Sequence, residues 1–128
     1  MQIKHLTPLL LFALFFNGTA KANVTDEDFV AKKTQNLLNL CTAAPQDPHY
    51  REAIHFCHGY LVGAYQYYQA QTADKQEEKM FCIPEPKPTR NETIAMFISW
   101  AQIHPEYMNE IPVETEFRFL TEKYPCKK

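Results

Sequence analysis

Apolar residues recur along this chain at steps of three and four, the spacing of one helix face. The clearest run is Ala53, Phe56, Cys57, Tyr60, Leu61, Ala64 and Tyr68. It predicts a long amphipathic helix, capped by Asp47, with Pro48 at the first helical position, where a missing N–H costs nothing. Ahead of it, Phe29, Val30, Leu37, Leu38 and Cys41 predict a first helix. That helix should start at Thr25, with Asp26, Glu27 and Asp28 at the positive end of its dipole. A third helix opens on Thr89 and Glu92, which have the spacing of a capping box. Its buried side is Ile94, Phe97, Ile98 and Ala101, with Trp100 at the edge, and Pro105 ends it. A fourth follows Pro112, with Val113, Phe117, Leu120 and Tyr124 at heptad-like spacing, and stops at Pro125. Pro84, Pro86 and Pro88 force an extended connector between the second and third. No stretch alternates as a strand would. The expected fold class is all-α, a small four-helix bundle.

The first residues follow a different pattern. Lys4 and His5 precede an apolar run, Leu9 to Phe16, and then the small-x-small sequence Ala20-Lys21-Ala22. This is the order of a secretory signal peptide, and the run is too short to span a bilayer. The expected division is a leader over 1–22 and a single domain over 23–128. Cleavage removes Lys4 and Lys21, so basic residues fall from 13 to 11 while all 15 acidic residues stay, for a mature charge of −4. An acidic balance argues against a nucleic-acid partner. No later segment is apolar enough for membrane insertion.

Export changes how Cys41, Cys57, Cys82 and Cys126 are read. An even count in an exported domain implies two disulfides, and four cysteines allow three pairings. In an up-down bundle, the first two helices meet at Cys41 and Cys57, and the other two cysteines return to the opposite end. That topology gives Cys41–Cys57 and Cys82–Cys126; a crossed pairing follows if the helices connect otherwise. Loops of these lengths contribute roughly 3 and 4 kcal/mol in the chain-entropy view.

Several residues invite a chemical reading. His55 and His58 share a helix face, but a metal site needs a third ligand and none suggests itself, so no metal or cofactor is expected. Cys57 beside His58 is no catalytic pair, because adjacent helix residues point about 100° apart. The carboxylate pairs Glu77-Glu78 and Glu114-x-Glu116 read as solvated charge rather than as a hydrolase's acid and base. Gly59 and Gly63, four apart, read as a place where another backbone approaches. Tyr60 and Tyr68 belong to the core face. Tyr65 and Tyr67 fall off it and are candidates for a partner or dimer surface.

Five segments, in order, resemble one known family. Cys57-His58-Gly59-Tyr60-Leu61-Val62-Gly63 is similar to the Cys-x-Gly-Tyr-Ile-x-Gly segment of the Rap1a/Tai immunity proteins. Phe81-Cys82-Ile83-Pro84, the helix-opening Thr89, His104-Pro105-Glu106 and Tyr124-Pro125-Cys126 resemble that family's later motifs, and Leu40-Cys41 fits the end of its first helix. The chain departs from the pattern at Glu85-Pro86-Lys87-Pro88, where the family's connector is shorter, and at Tyr65-Gln66, where it often continues to an acidic residue.

The resemblance implies a periplasmic protein of a Gram-negative bacterium. It implies binding to a cell-wall amidase effector delivered by type VI secretion, occluding its active site, with no enzymatic activity of its own. Many such proteins are helical homodimers. On this chain the expected partner-binding residues are His104, Glu106, Tyr107 and Met108 in the turn between helices three and four, together with Tyr65. A turn built on Pro also has a purely geometric reading, in which Tyr107 packs back onto the core. An acid-stress chaperone and a housekeeping envelope protein of the same build stand as alternatives.

Overall fold

A computed structural model describes residues 22–75 and 79–127. The expected leader over 1–22 therefore lies outside the described residues except for Ala22, and Glu77-Glu78 lies outside them too. Among the described residues there are four α-helices and no strand: α1 (Thr34–Cys41), α2 (Tyr50–Thr72), α3 (Arg90–Gln102) and α4 (Pro112–Lys123). Single 3-10 turns sit at Asp28–Val30 and Pro105–Tyr107. The fold is the expected small all-α bundle.

α1 starts later than its sequence suggests. Ala31 takes a left-handed conformation, φ 49°, which interrupts the chain before Thr34. The acidic residues ahead of it do not line a helix end. Instead Asp28 is buried and accepts from the Thr25 N–H and hydroxyl, both at 3.0 Å, and from Asn36 and Asn39 at 3.1 and 2.9 Å. Burial pushes this carboxyl up, but those hydrogen bonds outweigh it and hold the group below the usual range. Val30, expected in the core, is exposed because the 3-10 turn rotates it outward, while Leu40, outside the expected stripe, is fully buried.

α2 likewise begins at Tyr50 rather than Pro48. Asp47 is a tie rather than a helix cap: it accepts from the Val24 N–H at 2.7 Å and the His49 N–H at 2.8 Å. The face that α2 buries holds Ala53, Cys57, Leu61 and Tyr68, as its periodicity requires. Gly59 and Gly63 do not bring a backbone close, since a Cβ at either would meet nothing within 4 Å. The capping box of α3 is present: the Thr89 hydroxyl accepts from the Glu92 N–H at 3.3 Å, and the Glu92 carboxylate accepts from the Thr89 N–H at 2.7 Å.

The disulfides are Cys41–Cys57 and Cys82–Cys126, with Cα–Cα separations of 5.1 and 4.9 Å. The first joins α1 to α2. The second joins the start of the connector to the segment after α4, where the Cys82 N–H also donates to the Tyr124 carbonyl at 2.8 Å. Between these staples Leu37, Leu40, Phe97, Ala101, Phe119 and Leu120 form the centre of the core.

Candidate functional site

The turn between α3 and α4 is assembled from backbone limits outward. Pro105 lacks an N–H and restricts the residue before it, so α3 stops at Gln102. One 3-10 turn follows, closed by the Tyr107 N–H to the His104 carbonyl at 3.1 Å and the Met108 N–H to the Pro105 carbonyl at 3.2 Å. The turn then meets the start of α1. The Thr34 and Gln35 N–H groups donate to the carbonyls of Glu110 and Met108 at 2.8 and 3.0 Å. These are free donors of a helix N-terminus, satisfied by a segment more than seventy residues away. The buried hydroxyls of Thr34 and Thr115, 2.7 Å apart, lock the same junction.

On this base the side chains stack. The His104 ring lies 4.2 Å from Trp100 and 5.6 Å from Tyr107, and Tyr107 lies nearly parallel to Trp100 at 5.6 Å. The Arg118 guanidinium sits 5.0 Å over Tyr107 and donates in a two-point fork to the Glu110 carboxylate at 2.9 and 3.0 Å. His104 Nδ1 is 2.9 Å from Glu106 Oε1, and this hydrogen bond holds the Glu106 carboxyl below the usual range. Tyr107 thus packs back onto the bundle, as the geometric reading of the Pro turn requires, while Glu106 stays exposed and Met108 is half-buried.

The turn brings His104, Glu106, Tyr107 and Met108 together. Tyr65 is not with them. It lies on α2, stacked on Phe81 at 6.2 Å, and is half-buried rather than exposed; Tyr67, and Tyr50 at the start of the helix, are its exposed tyrosines. Sequence reasoning missed Ile103 and Ile111, which bracket the turn with 74% and 56% of their surface exposed. Their signal was available, since each lies between a helix end and a proline and fits neither helical stripe.

It also misread Glu116. This residue is 4% exposed, and its Oε2 is buried with no hydrogen-bond partner among the described residues. Burial alone pushes its carboxyl up to about 8, so at neutral pH it is mostly a neutral acid. It lines a groove of about 270 Å³ together with Leu61, Tyr65, Ile83, Ile94 and Leu120. The Glu114-x-Glu116 pair is therefore split, with Glu114 in solvent and Glu116 in the interior.

Architecture and turn define a small helical protein stapled by disulfides, with a hydrogen-bonded turn that exposes Ile103 and Ile111. No helix among the described residues is long and apolar enough to cross a membrane. The sequence matches the family model of Rap1a immunity proteins over residues 33–126, and the chain belongs to that family. Comparison with curated proteins and with solved structures returns no match. The matched range contains both disulfides, the turn and Glu116.

Proposed function

We propose that this is a periplasmic immunity protein that binds a peptidoglycan-cutting amidase effector of type VI secretion and covers its active site. Residues 1–22 are the cleaved leader and 23–128 the mature domain. The observation that carries the reading is the family match over 33–126. Its physical support is the turn. An inhibitor that works by exclusion needs a rigid shape and exposed contact groups, and it needs no chemistry of its own. The turn offers Ile103, Glu106 and Ile111 to solvent on a stacked and hydrogen-bonded base. Tyr107 and Met108 behind them keep those groups in place. The reading includes a homodimer, with Tyr67 on α2 as an apolar contact; sedimentation of the mature chain checks it.

The test starts with oxidised residues 23–128 as bait on envelope and secreted fractions of the native cell. A captured cell-wall hydrolase is then assayed on purified peptidoglycan. One-to-one loss of amide-bond cleavage supports the reading. A captured hydrolase that keeps its turnover, or clients captured only at acid pH, contradicts it.

A further inference from the structure

The groove beside α2 contains a buried acid that the turn does not use. Its walls are mostly apolar, with Leu61 from α2, Ile83 from the connector, Ile94 from α3 and Leu120 from α4, beside the polar Gln66, Gln69 and Thr93. The Glu116 carboxyl lines it, and its Oε2, closed off from solvent, has no hydrogen-bond partner among the described residues. Such a carboxyl is costly to keep unless something else supplies its partner. At the mouth the charges are of the other sign, with Lys87 and Arg90 both exposed. Lys87 makes only a loose, solvated pair with Glu85 at 3.8 Å.

We propose that this groove binds a small zwitterion, with an aliphatic ammonium group inside against Glu116 and a carboxylate at the mouth beside Lys87 and Arg90. The volume suits it. An apolar cavity of about 150 Å³ takes benzene, so about 270 Å³ accommodates a stem of several carbons with a polar head. The choice of a cation over a neutral carbonyl follows from magnitudes. An acid that titrates near 8 is about one-tenth ionised at pH 7, so ionising it costs only about tenfold in affinity. A charge-assisted hydrogen bond is roughly twice as strong as a neutral one, and together with the Coulomb attraction of the pair in a partly dry groove it offsets that cost. The groups facing Glu116 do not reverse this. Tyr60 and Tyr65 from α2 are phenols kept neutral by burial, and Lys87 and Arg90, exposed on the same groove, carry a charge that favours an ionised Glu116. On binding, the Glu116 carboxyl gives its proton to the buffer and the ligand's ammonium takes the proton's place.

The experiment is calorimetry on oxidised residues 23–128 with 6-aminohexanoate, hexylamine and hexanoate. The expected order of affinity is the zwitterion first, hexylamine second, and no binding of hexanoate. Near pH 6 each bound amine should release close to one proton, read from the dependence of heat on buffer ionisation. Affinity should rise some tens of fold between pH 6 and pH 8 and then level off. Glu116→Gln should lose at least tenfold and all proton release. Replacing Lys87 and Arg90 together with Gln should abolish only the advantage of 6-aminohexanoate over hexylamine. Tighter binding of hexanoate overturns the proposal, as does absence of any binding up to about 10 mM. Binding of the zwitterion without proton release overturns it too, and needs no variant to fold.

Discussion

The turn at 103–111 and the groove at Glu116 are two ways of handling polar groups in a small bundle. The turn is held by many paired polar groups. Its backbone carbonyls satisfy the start of α1, its arginine forks onto Glu110, and its rings stack. Beside it, Trp100 Nε1 of α3 is a buried neutral donor with no partner among the described residues. In the groove the orphan is a carboxyl oxygen, and the group stays neutral because burial leaves it no better state. The contrast separates a surface turn whose polar groups are paired from a groove whose acid is not. It also assigns different failures to the two regions: changes in the turn should cost stability and recognition, and changes at Glu116 should raise stability.

The largest expected effect is therefore a gain. A carboxyl whose folded affinity for protons exceeds its unfolded one contributes fully below the unfolded pKa, near 4.3, and loses that contribution as pH rises toward 8. The wild-type protein should lose roughly 5 kcal/mol across that window, within a factor of two, with about 4 of it gone by pH 7. Glu116→Leu should be more stable by roughly that last amount at pH 7, and Glu116→Gln should flatten the profile. Urea midpoints at pH 5, 7 and 9 check both. Asp28 works with the opposite sign. Its carboxyl is held low, so its stabilisation is present at neutral pH and lost as pH falls through its folded pKa. Asp28→Asn should weaken that acid limb, to which Asp47 also contributes, and leave the alkaline one.

Next in size is the junction under the turn. Thr115→Val removes the 2.7 Å hydroxyl pair with Thr34, which keeps the Glu110 carbonyl at 3.2 Å, and should cost about 1–2 kcal/mol by thermal or urea unfolding. Tyr107→Ala removes two stacks and the guanidinium contact, for roughly 1–2 kcal/mol. Trp100→Phe should be the smallest, within about 1 kcal/mol of wild type, because it removes the orphan N–H while keeping an aromatic ring. A large loss there would mean that the indole nitrogen has a partner.

Much of this frame was legible in the sequence. Thr89 and Glu92 form their box because both halves of it are local. Cys41–Cys57 and Cys82–Cys126 follow from the up-down order of four helices. What was hidden depends on distant contacts. Nothing local tells an alanine to adopt φ 49°, so the first helix looked longer than it is. Of the row Val113, Phe117, Leu120 and Tyr124, the last two are buried and the first two half-buried, and the bundle also buries the neighbouring Thr115, Glu116 and Phe119. A carboxylate two residues from another looks like surface until the helix is rotated against its neighbours. The same holds for Gly59 and Gly63, whose spacing suits a close approach that no described segment makes. At the turn, the Pro-built geometry was readable, but the cap it provides to α1 was not.

The most direct test is a titration of the captured amidase on peptidoglycan with three forms of the protein: wild type, Ile103→Asp and Glu116→Gln. The account predicts stoichiometric inhibition by wild type and by Glu116→Gln, and at least tenfold weaker inhibition by Ile103→Asp with unchanged folding. Equal inhibition by Ile103→Asp, or loss of inhibition in Glu116→Gln alone, would contradict the assignment of recognition to the turn. Failure of wild type to inhibit the amidase would contradict the immunity reading itself.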